Sequence, residues 1–147
     1  MKFLCQKHRD WLQSDPIKAL HLWHKTTEDA RQAVRDENWR VAIMNYGNAF
    51  DIAELLIDCD NFSIRAQERY AYTALEMAYT LKSKKLDTRW LVHALTDKLK
   101  DQSRSQLTEE LIGSLASLEA PKASNVSYIW QATEQQTRSS NYSRQLH

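Results

Sequence analysis

Glycine and proline are scarce in this chain. Its 147 residues include only two glycines and two prolines, whereas alanine, leucine, glutamate, lysine, glutamine and arginine are plentiful. Turn-rich β architectures depend on glycine and proline, so this scarcity disfavours them and favours long helices with few connections. A chain of this length is expected to form one domain with a real hydrophobic core.

Cysteine is also rare, and long apolar runs are missing. The two cysteines, Cys5 and Cys59, are too few for a disulfide framework. The amino-terminal stretch meets charge at Lys7 before an apolar run can form, so it does not predict a signal peptide, and no stretch of about 18 apolar residues predicts a membrane span. The net charge of +1 gives no strong field toward nucleic acid or membrane. We therefore expect a cytoplasmic protein with no membrane partner.

The stretch over residues 38–59 predicts the central helix of the fold. Its apolar and small residues recur at steps of three and four, which is typical of one buried helix face. They are Trp39, Ala42, Ile43, Tyr46, Ala49, Phe50, Ala53, Leu56 and Ile57. Alanines between aromatic residues let a neighbouring helix approach closely. Asp51, Glu54 and Asp58 fall on the other face, which we expect to be solvated.

Similar periodicity predicts helices on both sides of the central one. The predicted ranges are 2–13, 16–36 and 63–82, with a fifth helix after Asp87 and a short sixth from Thr108. The first helix carries Leu4, His8, Trp11 and Leu12 on one side. Short connections make consecutive helices antiparallel neighbours. The sequence thus predicts an all-α fold of about five or six antiparallel helices over residues 1–120.

The composition changes after Pro121. Serine, glutamine, asparagine, threonine and arginine dominate residues 121–147, which are expected to form a polar, flexible tail because they bury too little to offset ordering entropy. Tyr128, Ile129 and Trp130 are the apolar exception. They could dock on the helices or bind a partner, and the sequence does not choose between the two.

The second and third predicted helices read A30-x2-A33-V34-x4-W39-x2-A42-x3-Y46-x2-A49. This pattern resembles a tetratricopeptide repeat, in which small residues of one helix receive the next helix across a tight turn. A fainter copy follows at an offset of 41 residues, at Ala71, Ala74 and Leu75. The usual glycine at the turn is replaced by Glu37. The resemblance implies a right-handed array of helical hairpins that binds a peptide or protein along a groove.

The resemblance also implies which side chains face that groove. The candidate partner-binding residues are His24, Thr27, Arg31, Arg35, Arg65, Glu68, Tyr72 and Glu76. The family members that grip a terminal carboxylate carry lysine and asparagine where this chain has Thr27 and Arg31, so that clamp is not reproduced. A solvated helix face is the alternative interpretation of Arg31 and Arg35.

One set of residues has the chemistry of a metal site. Cys5 and His8 are three apart on the first helix, and His21 and His24 are three apart on the second. If the two helices form a hairpin turning at Ser14, all four side chains could converge, and zinc accepts such nitrogen and sulfur ligands. The alternative is that these histidines are structural.

The densest basic stretch, residues 82–104, could bind nucleic acid, but interleaved acidic residues dilute it. No glycine-rich phosphate loop or nucleophile arrangement is visible, so neither an enzyme nor a cofactor is predicted. The sequence predicts a non-catalytic protein–protein interaction module, an adaptor or scaffold. Nucleic-acid binding through residues 82–104 is the alternative, and metal binding is the third. Uncovered apolar end faces would permit self-association.

Overall fold

The computed structural model describes residues 2–117, and that part of the chain contains six α-helices and no strand. The helices are α1 (Gln6–Gln13), α2 (Pro16–Arg35), α3 (Trp39–Cys59), α4 (Ile64–Ser83), α5 (Arg89–Lys98) and α6 (Gln106–Ser117). The all-α prediction is confirmed. None of these described helices combines the length and apolar character needed to cross a bilayer. The predicted tail, with Tyr128, Ile129 and Trp130, lies outside the described residues.

Helix α3 is the centre of the fold, as its apolar stripe predicts. It packs against α1, α2 and α4, and Ala42, Ala49 and Ala53 are completely buried on it. The small side chains allow this close approach, and aromatic rings fill the remaining space. Phe50 stacks on Tyr70 with ring centroids 4.8 Å apart.

Helices α2 and α4 run in the same direction across α3. The buried indole Nε1 of Trp23 donates to Thr73 Oγ1 at 3.1 Å, and further along both helices Arg31 pairs with Glu76. Both contacts advance together along the two helices, as parallel neighbours require. Helices α5 and α6 pack on α4 and on each other.

The turns between the helices are built without glycine. Glu37 has a left-handed φ of 57°, and the next amide, Asn38 N–H, donates to Ala33 O at 2.8 Å. This is a Schellman turn, which normally places glycine at the left-handed position. Asn61 and Lys85 occupy the same position after α3 and α4, with φ of 50° and 59°. The scarcity of glycine therefore reflects how the turns are built as well as how few they are.

The structure differs from the sequence-based predictions in the start of α1 and in the exposure of two side chains, Trp11 and Asp51. Helix α1 begins at Gln6 rather than at residue 2, because residues 2–5 lie in an irregular conformation against α3. Trp11 is predicted on the same side of α1 as Leu12, but Trp11 is 48% exposed whereas Leu12 is buried. Asp51, predicted to be on a solvated face, is fully buried. The helical period gives the face of each residue on its own helix, but not which faces other segments cover.

Candidate functional site

Two of the predicted partner-binding residues, Arg31 and Glu76, meet in a packed layer between α2 and α4. Arg31 is held by Glu76 through two bonds, Nε to Oε1 at 2.6 Å and Nη2 to Oε2 at 3.1 Å. The hydroxyl of Tyr46 on α3 donates a hydrogen bond to Glu76 Oε1. Glu28 accepts from Arg31 at 3.1 Å on the outer side. The bidentate ion pair between Arg31 and Glu76, with the Tyr46 hydroxyl as a third donor, fixes the geometry of this layer.

Burial dominates the electrostatics of the layer. Desolvation raises the pKa of Glu76, while Arg31 and the Tyr46 hydroxyl oppose this rise. The pKa values of Tyr46 and Tyr72 are also raised, first by burial and then by the nearby Glu76 carboxylate. Both phenols therefore stay protonated, and Tyr46 acts as a hydrogen-bond donor.

Three other predicted residues belong to the interior or its edge. Thr27 and Tyr72 are each only 1% exposed, and the Thr27 hydroxyl donates to Trp23 O at 2.8 Å. His24 is half-buried, with its ring edge against Trp23 at a centroid distance of 4.9 Å. A partner could not touch Thr27 or Tyr72 without opening the helices.

The remaining predicted residues lie nearer the surface. Arg35 is exposed and donates to Gln32 Oε1 at 2.8 Å on its own helix. Glu68 accepts from Ser105 at 2.7 Å, which ties α4 to the start of α6. Arg65 is exposed and lines a concave surface.

That concave surface, which we call the α2–α4 cleft, lies where the amino ends of α2 and α4 meet the carboxyl end of α3. Its volume is about 230 Å³, and its wall is divided between apolar and polar groups. The apolar part includes Pro16, Leu20 and Leu56, and the polar part includes Asp60, Ser63, Arg65 and Arg69.

The charges in the cleft wall favour an acidic group. Arg69 is 4% exposed and lies over the Trp23 ring, whereas Arg65 reaches solvent. The amino ends of two 20-residue helices add partial positive charge, although Asp15 caps one of them. Asp60 accepts from the Ser63 hydroxyl at 2.7 Å, so one acidic group is already bonded within the wall.

Exposed apolar side chains flank the α2–α4 cleft. Ile17 follows Pro16 and is 56% exposed, and Ile64 lies between Ser63 and Arg65 and is 57% exposed. Trp11 is also exposed, with Lys18 Nζ 4.1 Å from its ring centroid. Exposed apolar side chains close to arginines are characteristic of surfaces that bind other proteins.

Cys59 also lines the cleft, but it is not an activated thiol. Burial raises the pKa of the Cys59 thiol, and the carboxylates of Asp58 and Asp60 raise it further. A raised pKa leaves little thiolate at neutral pH, which disfavours Cys59 as a nucleophile.

The four residues considered for metal binding do not converge. Cys5 Sγ lies 3.0 Å from His8 Nδ1 on the exposed side of α1, while His24 packs against Trp23 on α2. Within residues 2–117, no three histidine, cysteine, aspartate or glutamate side chains come together as a metal site. The predicted convergence is wrong because α1 packs on both α2 and α3 instead of forming a simple hairpin with α2.

Part of the basic stretch over residues 82–104 is paired with carboxylates. Lys98 contacts both oxygens of Asp58, at 2.8 and 2.9 Å. Arg89 pairs with Asp87 at 3.0 Å. Lys84 lies over the Trp39 ring at 4.8 Å. The carboxylates beside Lys98 and Arg89 reduce the charge that phosphate groups could use, whereas Lys84 keeps its charge.

Sequence reasoning identified Arg65 but missed the rest of the cleft. Leu56 was assigned to the apolar stripe of the central helix and Arg69 was given no role, because a cleft formed by three helix ends exists only once the helices are assembled. Gly47, elsewhere on α3, is a separate case. A glycine inside a helical pattern often marks a position where another segment approaches the helix backbone closely.

No family model, curated protein or solved structure matches this chain.

Proposed function

We propose that this protein is a non-catalytic protein–protein interaction module that binds its partner at the α2–α4 cleft. The observation that carries the proposal is the exposed apolar rim of Ile17 and Ile64 beside a concave surface lined by Arg65 and Arg69. The partner segment that fits this surface carries an acidic group next to an aliphatic or aromatic side chain.

Six of the residues carried over from the tetratricopeptide resemblance have a role in this proposal or in its test. Arg31, Glu76, Thr27 and Tyr72 hold the helices together, so they shape the surface without touching the partner. Arg65 is the member of that set which contacts the partner, and Arg35 serves as a matched exposed arginine away from the cleft. The proposal retains a helical-hairpin scaffold and a reducing, cytoplasmic setting, in which the thiols of Cys5 and Cys59 remain free.

Charge reversal in the cleft tests the proposal. Immobilised wild-type protein, Arg65→Glu and Arg35→Glu would be incubated with a library of peptides that pair acidic with aliphatic residues. We expect Arg65→Glu to lose bound peptides that wild type and Arg35→Glu retain. Because both arginines are exposed, the melting temperatures of the variants should stay close to that of wild type.

Mutation of the rim provides the second arm. Ile64→Ser should weaken the binding of the same peptides, because it removes an apolar contact and leaves the charge of the cleft unchanged. Retention of every peptide by both Arg65→Glu and Ile64→Ser would refute binding at this cleft. Loss of peptides with Arg35→Glu instead would place the partner along the α2 face.

A further inference from the structure

Residues 2–5, which we call the amino-terminal strap, lie in a groove on α3 rather than continuing α1. The groove is formed by Gly47, Asp51 and Glu54 of α3 together with Trp90 of α5. Each of these four residues contacts the strap through a different kind of interaction. We call these four residues the strap groove.

The ring of Phe3 fills a socket that exists because residue 47 is glycine. A Cβ atom at Gly47 would lie 2.3 to 2.6 Å from three atoms of the Phe3 ring, closer than real contacts allow. The far side of the ring faces Trp90, with centroids 6.2 Å apart. The socket is therefore shaped for a flat aromatic ring.

Asp51 anchors the backbone of the strap. Its Oδ2 atom accepts the amide of Leu4 at 2.8 Å and also the amide of Phe3. Backbone amides occur in every peptide, so this anchor recognises an extended main chain rather than one sequence. Lys2 then pairs with Glu54, which adds a preference for a basic residue before the aromatic one.

The strap leaves part of the groove unused. Asp51 is fully buried, yet no residue in the described part of the chain donates a hydrogen bond to its Oδ1 atom. The Nη1 atom of Arg9 is likewise buried without a hydrogen-bond partner there, 3.9 Å from Asp51 Oδ2. Buried polar atoms are nearly always satisfied, so this groove can bond a chain that brings one more donor and one more acceptor.

We propose that the strap groove is a recognition site for an extended peptide segment with a basic residue followed by an aromatic one, and that the protein's own strap occupies it in cis. The tethered strap has a high effective concentration, so it blocks a free peptide until it is weakened or displaced. This site is separate from the α2–α4 cleft and does not depend on the function proposed there.

The test uses the full chain and a fluorescently labelled, amino-acetylated and carboxy-amidated peptide containing Lys-Phe-Leu. Phe3→Ala empties the socket, and Lys2→Glu weakens the strap through Glu54 without touching the socket. We expect both variants to bind the peptide about tenfold or more tightly than wild type, in fluorescence anisotropy titrations. Far-UV circular dichroism confirms that each variant is folded.

Two controls locate the binding. The matched peptide containing Lys-Ala-Leu should bind Phe3→Ala at least about tenfold more weakly, and so should the Lys-Phe-Leu peptide with the Phe3→Ala/Gly47→Ala double variant. Absence of binding to both Phe3→Ala and Lys2→Glu would overturn the proposal and leave the strap a structural element. Binding that is indifferent to the peptide's phenylalanine or to Gly47→Ala would place the peptide elsewhere and also overturn it.

Discussion

The contact between Phe3 and Gly47 predicts that Gly47→Ala has opposite effects on stability in two proteins, wild type and the Phe3→Ala variant. Alanine is normally the better residue inside a helix, by about 0.5–1 kcal/mol, because glycine loses more backbone entropy on folding. In wild type, the added methyl group would occupy the position of the Phe3 ring. Gly47→Ala should therefore destabilise wild type but stabilise the Phe3→Ala variant.

The magnitude follows from the burial of the ring. Complete burial of a phenylalanine contributes about 1.5–3 kcal/mol, and Phe3 is only partly buried, so its ejection should cost about 1–2 kcal/mol. Subtracting the helical gain leaves a net loss of about 0.5–1 kcal/mol for Gly47→Ala in wild type. In the Phe3→Ala background, only the gain of about 0.5–1 kcal/mol remains. The coupling free energy between the two positions is then about 1–2 kcal/mol.

Urea denaturation of the four proteins, followed by far-UV circular dichroism, measures this coupling. Changes in the transition midpoint at a constant slope report the free energies of unfolding. If Gly47→Ala stabilised wild type as much as it stabilised Phe3→Ala, the ring would not occupy the socket. The account of the strap groove would then be refuted.

Three further substitutions test other parts of the fold. Glu37→Gly should raise the free energy of unfolding by about 0.5–1 kcal/mol, because glycine adopts the left-handed turn conformation without strain. Thr73→Val should cost about 1 kcal/mol by removing the acceptor of the Trp23 indole N–H at nearly constant volume. Desolvation raises the pKa of Glu76 in the folded state, so the contribution of Glu76 to the free energy of unfolding should fall as pH rises from about 4.5 toward neutrality, and Glu76→Gln should remove that contribution.

Each of these predictions has a measurement and a contradicting result. Urea titrations at pH 7 measure the first two, with Arg35→Ala as an exposed control on α2. A loss of stability in Glu37→Gly would contradict the turn assignment, and an unchanged Thr73→Val would show that the indole bond is not structural. The third prediction, on Glu76, is tested by measuring the free energies of unfolding of wild type and Glu76→Gln between pH 4 and 8. Parallel pH profiles would mean that the carboxylate titrates normally.

The order of helices could be predicted from the sequence because helical periodicity is a local property. The stripe that includes Ala42, Ala49 and Ala53 lies buried on α3, and the breaks near Glu37 and Asn61 are turns. The left-handed conformation of Glu37 could not be predicted, because glutamate carries no preference for it. The Schellman bonds that stabilise the turn join backbone groups, Asn38 N–H to Ala33 O and Glu37 N–H to Val34 O, which every such residue carries, so no side chain marks them in the sequence.

The candidate sites depended more strongly on tertiary structure. Arg65 could be selected as an exposed helical residue, but the cleft around it requires the ends of three helices to meet. The choice of Arg31 and Tyr72 as contact residues assumed an open groove, whereas Tyr72 is buried and Arg31 is bonded across to Glu76 of α4.

Asp51 shows most clearly where the sequence stopped being informative. Its position in the helical period places it beside Glu54 and Asp58, which is typical of a solvated face. The sequence by itself determined that this face exists and which side chains it carries. Only the tertiary structure decided that the strap, 47 residues earlier in the chain, covers Asp51 and bonds to it. The physical reason is that burial depends on what packs over a surface, and the covering segment is remote in sequence.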